Sequence, residues 1–141
     1  MEINTKSEQQ SIEKEKVIHF PEGVLGFESL KDYRILSSET EKDLHWLRSV
    51  DDENIEFAVT DPTIFQVDYE IILSDKEADL LKAGPDADML ILVILYKDNE
   101  DQANNAIKGN FTAPVIINSH SQRGLQKVLN NTKGSMTIKS S

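Results

Sequence analysis

From Val17 onward the chain is a succession of short apolar or alternating stretches, each closed by turn-forming residues within a few positions. Val17–Phe20 is β-prone and runs into Pro21, Gly23 and Gly26, three residues that shape a loop through a missing donor and permitted positive φ. Leu25 and Phe27 flank Gly26 and are expected to fasten that loop to the core. Tyr33–Ser37, Leu44–Val50 and Ile55–Thr60 follow as strand candidates. In the last of these Ile55, Phe57 and Val59 face one way and Glu56 and Ala58 the other, the period of a half-buried strand. Asp51–Asn54 lies between two of these runs and reads as an acidic hairpin tip. Val67–Leu73 alternates too: Val67, Tyr69 and Ile71 on one face, Asp68, Glu70 and Ile72 on the other, the second face at the surface.

Met89–Tyr96 breaks the alternation, being almost wholly apolar over eight residues rich in Ile, Leu and Val. It is too short for a buried helix of ordinary length and predicts a central strand covered on both faces. Ile107–Phe111, Pro114–Asn118, Leu125–Leu129 and Met136–Ile138 supply further extended pieces, the last an edge strand. One segment has a helical signature. Ser74 followed by Glu77 forms a capping box, Leu80 and Leu81 give an apolar stripe, and Gly84-Pro85 is expected to end a helix of about ten residues. Eight to ten short strands with one or two short helices predict a mainly β domain, a small antiparallel β-barrel over residues 16–141, with a two-sheet sandwich as the structural alternative. Residues 1–15 are polar and aperiodic and read as a mobile N-terminal tail.

With 141 residues the chain has room for one core. The absence of cysteine excludes disulfides, thiolate metal sites and cysteine nucleophiles. No apolar run approaches the roughly 20 residues that span a bilayer, and the N-terminus lacks a secretory signal, so a cytoplasmic protein is expected. Charge changes the picture more. The net charge is −10, but residues 50–101 carry fifteen acids against three bases, while residues 102–141 carry five bases and no acid. The acidic block repels phosphates and attracts a cationic partner. The basic segment can hold a small anion or pack against the acidic block.

Enzyme signatures are missing. His19, His45 and His120 are far apart and form no zinc motif, and Ser119-His120-Ser121 is a sequence neighbourhood rather than a triad. No phosphate-cradling glycine loop or dinucleotide fingerprint occurs. Asp61, Asp68 and Glu70 are the carboxylates to consider for a two-acid site, which keeps open a small carboxylate-dependent hydrolase. A single-stranded nucleic-acid-binding barrel is a further alternative, though it needs stacking aromatics where the basic segment has only Phe111. Neither a cofactor nor a metal is expected.

Four stretches in order resemble one family: FPEGVLGFE (residues 20–28), LRSVDDENIEFAVTDPTIFQVDYEIIL (47–73), GNFTAPVIIN (109–118) and RGLQKVL (123–129). Together they are similar to the flagellar assembly factor family FliW over about residues 17–130. The end of the chain departs from the family, with no aromatic residue and a single basic one, Lys133, between Thr132 and Ile138. The resemblance implies a small β-barrel without catalysis. It further implies a regulator, monomeric when free, that binds the RNA-binding translational repressor CsrA and also flagellin, coupling flagellin translation to filament assembly. An acidic protein suits the capture of a basic repressor. The partner surface is then expected around the hairpin tip and Val67–Leu73, with Phe65 and Tyr69 as aromatic anchors, Asp68 and Glu70 as charge complement, and Asp61 as a further partner-binding residue. Asn118, at the end of a β-branched strand, is the remaining candidate. Core packing is the ordinary role for Phe65 and Tyr69, a solvated face for Asp68 and Glu70, and turn capping for Asn118.

Overall fold

The alternating runs form strands in a computed structural model that describes residues 1–5, 16–96 and 107–129, and the backbone alone of 97 and 134–138. In chain order these are β1 Glu2–Asn4, β2 Val17–His19, β3 Asp32–Ser37, β4 His45–Ser49, β5 Glu56–Thr60, β6 Val67–Ile72, β7 Met89–Lys97, β8 Ile107–Gly109, β9 Val115–Asn118, β10 Arg123–Gln126 and β11 Gly134–Ile138. A 3-10 turn, Pro62–Phe65, and one helix, α1 Asp75–Leu80, complete the described elements.

Seven strands close on themselves. The order β5-β4-β3-β2-β10-β9-β7 returns to β5 through Ala58 opposite Leu95, Val59 opposite Ile94 and Thr60 opposite Val93. Every pairing is antiparallel except β2 with β10, which meet in parallel where Arg123 faces His19. Closure removes the exposed edges that a short open sheet would present. β8 adds to the free end of β7 beyond β9. Outside the barrel lies a second sheet of order β1-β6-β11, with β6 paired antiparallel on both sides.

β7 connects the two layers, and its composition explains how. Leu90 and Leu92 point into the barrel with Phe20, Tyr33, Leu47 and Val115. Met89, Ile91 and Val93, on the other face, pack with Tyr69, Ile71, Ile116 and Leu125 under the outer sheet. A strand buried on both faces has no position for a polar residue, hence the unbroken apolar run. Each of its fully buried aliphatic side chains contributes about 1.5–3 kcal/mol.

Three expectations change. Residues 1–5 are not a free tail: Ile3 is buried opposite Ile71, and Leu73 N donates to Met1 O at 2.7 Å. One isolated apolar residue gives no periodic signal, so this pairing was not legible. Residues 6–15 lie outside the described residues. α1 is shorter than ten residues, ending at Leu81 with Lys82 in a left-handed conformation (φ 49°), two residues before Gly84. Its capping box is present, Glu77 N donating to Ser74 Oγ at 3.1 Å and Ser74 N to Glu77 Oε1 at 2.8 Å. In the Pro21–Glu28 loop the buried apolar residue is Val24, while Leu25 is half exposed. Phe27 does hold the loop, edge-on against Phe57 at 5.3 Å. Gly23 is required there: its φ is +71°, and a Cβ would stand 2.6 Å from the Glu28 backbone.

Candidate protein-binding surface

The segment from Asp61 to Glu70 leaves the barrel at β5, turns through the 3-10 element and enters the outer sheet as β6. Asp61 starts the turn. Its Oδ1 accepts from Thr63 N at 2.9 Å and Thr63 Oγ1 at 2.7 Å, and Pro62 occupies the first position, where no donor is needed. Asp61 is buried at 3% exposure, so its carboxylate shapes the chain rather than facing solvent. The turn ends at Gln66 with φ 61°, and this reversal delivers Phe65 to the surface at 42% exposure. Its ring meets Phe111 edge-on at 5.8 Å.

β6 then sorts its residues by face, as the alternation predicts. Tyr69 is fully buried, and its hydroxyl donates to Phe111 O at 2.6 Å, so Tyr69 fixes the backbone of the residue whose ring supports Phe65. Burial pushes the Tyr69 hydroxyl well above its ordinary pKa near 10. Asp68 and Glu70 point outward from the middle strand of the outer sheet, Glu70 exposed and Asp68 partly so with Thr5 Oγ1 3.5 Å away. Pairing on both sides holds these two carboxylates on a rigid backbone. Beside Phe65 a groove of about 480 Å³ opens, with Leu44, Ile64, Leu95 and Ile107 as apolar walls and Glu41 and Asp43 at the rim.

Asn118 belongs to a different place. It is fully buried, its Nδ2 donating to Leu81 O at 2.9 Å and Lys82 O at 3.3 Å while its Oδ1 accepts from Asp88 N and His120 N. One side chain thus ties the end of α1 to the loop before β7 and the turn after β9. Of the six candidates, Phe65, Asp68 and Glu70 reach solvent. Asp61 and Tyr69 support them from inside, and Asn118 stands apart as a capping amide.

The acids of residues 50–101 occupy several elements rather than one. Asp51–Glu53 form the β4–β5 turn, Asp68 and Glu70 lie on β6, and Asp75, Glu77 and Asp79 belong to α1. Glu77 is engaged by the basic segment: Lys127 Nζ lies 2.7 and 2.8 Å from its two oxygens, with both side chains mostly buried. Burial raises the Glu77 pKa, but the hydrogen bonds and charge of Lys127, with those from Ser74, outweigh it and hold the carboxyl below its ordinary 4.5. A depressed folded-state pKa stabilises the fold above the ordinary value, and that contribution is lost as pH falls through the folded value. Glu77→Gln is therefore expected to cost about 1–2 kcal/mol at pH 7. Thermal unfolding from pH 7 to pH 3 checks this: the variant and the parent should converge at the acid end, and a constant gap would refute the role of the charge.

Among the described residues no group of three or more His, Asp or Glu side chains is placed to hold a metal ion, and no helix is long and apolar enough to cross a membrane.

A closed seven-stranded barrel with a second sheet against its flank defines the class: a small, mainly β, barrel protein. A family model described as FliW protein matches residues 2–140. Flagellar assembly factor FliW of Azoarcus sp. (strain BH72) is 40% identical over 119 residues, covering 82% of each chain. Flagellar assembly factor FliW 1 of Desulfotalea psychrophila is 37% identical over 129 residues, covering 91% of this chain and 90% of its own. A crystal structure of the flagellar assembly factor FliW superposes with a TM-score of 0.68 at 29% identity, over 94% of this chain and 91% of that one. The chain belongs to the FliW family of flagellar assembly factors. The match reaches into residues 2–16, which the resemblance read from sequence left out.

Proposed function

We propose that this protein is a cytoplasmic, non-catalytic regulator that captures the RNA-binding repressor CsrA and binds flagellin, with Phe65, Asp68 and Glu70 on the repressor-binding surface. The observation that carries the reading is the pair of outward carboxylates on the doubly paired strand β6, three residues beyond a half-exposed aromatic. A rigid acidic strand costs little ordering on binding, and an aromatic in a groove is the kind of residue in which interface energy concentrates. A cationic protein surface bearing an apolar side chain is the complement. Asp61 and Tyr69 support these elements from inside, and Asn118 holds the fold together elsewhere, at the end of α1.

Calorimetry with purified CsrA tests the reading. Wild type should bind, and more weakly as salt rises. Asp68→Lys with Glu70→Lys should weaken binding by about tenfold or more at low salt, since like charges now face each other. Unchanged affinity in this variant would remove the surface from the proposal. Binding of neither CsrA nor flagellin by wild type would remove the function.

A further inference from the structure

On the far side of the barrel wall a different surface appears. The registers of β2 to β5 place Val17 opposite Arg34, Arg34 opposite Arg48, and Arg48 opposite Glu56 in one row across the sheet. The flanking residues Ile18, Tyr33, Ile35 and Leu47 point into the barrel, so this row points out. The next row along the same face sets Leu36 opposite Trp46 and Trp46 opposite Ala58.

Two arginines directly opposite each other on neighbouring strands repel, and such pairs destabilise a sheet. Only one is neutralised: Arg48 Nε is 3.0 Å from Glu56 Oε2. Arg34 is exposed and has no ion pair among the described residues. In a protein of net charge −10, acids able to compensate it are plentiful, yet Glu53, the described acid that lines a depression with it, makes no ion pair with it. The arginines border a depression of about 410 Å³ shared with Leu36, Ser49 and Val50, with Glu53 at its rim. Val50 and Val17 are exposed at 41% and 37%, which makes the ground around the charges apolar.

From this we infer that the outer face of β2–β5 docks a partner protein through a segment that brings a carboxylate to Arg34 and Arg48 and an apolar side chain to Leu36 and Trp46. Arginine and tryptophan are the residues that dominate interface energy, and the guanidinium fork pairs two-pronged with a carboxylate. The charge requirement is opposite to that of the β6 face, so a cationic protein does not fit here. A nucleic acid fits poorly, because its line of phosphates would meet two arginines, one already paired, within a strongly acidic molecule. The inference does not depend on the function proposed above.

Trp46 is the single tryptophan, so its emission reports directly on this face. The full-length protein is titrated at low salt with three probes: a twelve-residue peptide alternating Glu and Leu, its Lys/Leu counterpart, and a twelve-nucleotide oligo-dU. The Glu/Leu peptide should shift Trp46 emission saturably, and Arg34→Glu with Arg48→Glu should weaken that response at least tenfold. Arg34→Gln with Arg48→Gln, which removes the charges without reversing them, should weaken it severalfold while far-UV circular dichroism and thermal midpoint stay near wild type. No emission change with the Glu/Leu peptide, an equal response in both double variants, or a response to oligo-dU at lower concentration would each overturn the assignment.

Discussion

Asn118→Ala should be among the most damaging single substitutions in this protein, lowering stability by about 3–4 kcal/mol. The side chain is fully buried and makes four hydrogen bonds, two to carbonyls at the end of α1 and two from backbone amides of Asp88 and His120. Alanine removes this partner from Lys82 O and from the amides of Asp88 and His120, while Leu81 O keeps Ser121 Oγ at 2.7 Å, and each buried polar group left unsatisfied costs about 1–3 kcal/mol. Relaxation and water entry recover part of the sum. Urea denaturation should show a lower midpoint at unchanged slope. Asn118→Asp sharpens the test. It keeps the acceptor for the two amides but sets a carboxylate against the carbonyls of Leu81 and Lys82, so it should regain stability relative to wild type as falling pH protonates it. A cost below about 1 kcal/mol for Asn118→Ala would mean that the bonds are not the reason for the residue.

The second large effect is expected at Gly124, on β10. A Cβ there would stand 2.6 Å from Phe20 Cζ and within 2.9 Å of two more ring atoms. Phe20 cannot retreat easily: it is fully buried and edge-on to Tyr33 at 5.3 Å. Overpacking a filled core costs about 1–3 kcal/mol, and Gly124→Ala should fall at the upper end, with Gly124→Val beyond it. The site is also a seam, since β10 meets β2 only where Arg123 faces His19. Any shift of β10 away from the ring strains the parallel closure. Adding Phe20→Leu should relieve the clash, so that the double variant loses less than the two single losses combined, by about 1–2 kcal/mol. Strict additivity in chemical denaturation would show that the ring and the missing Cβ are not in competition.

Both sites mark where sequence and structure part. Elements governed by local pattern were legible. The alternation of Val67–Leu73, the two-sided burial of β7 and the capping box at Ser74 all depend on residues within a few positions of one another. The barrel itself was legible as a class, because many short strands need closure. What could not be read depends on partners far along the chain. β1 hangs on Ile3 meeting a strand nearly 70 residues later. The end of α1 is set at Lys82 by tertiary bonds from Asn118 and Ser121 to Leu81 O, not by Gly84. The row of Arg34 and Arg48 emerges only once the β3–β4 register is known, since sequence alone shows two arginines fourteen residues apart. Among the candidate site residues, the outward positions of Asp68 and Glu70 followed from period-two alternation, whereas the exposure of Phe65 depends on the left-handed Gln66 that ends the turn. Asp61 and Asn118 are capping residues whose burial is decided by long-range packing.

β7 gives its left-hand and right-hand side chains to different interiors. A partner pulling on the outer sheet therefore pulls on a strand that the barrel cannot release without opening its own wall. The two layers will melt as one cooperative unit, and a load applied at β6 will be felt in the barrel before either part loosens on its own.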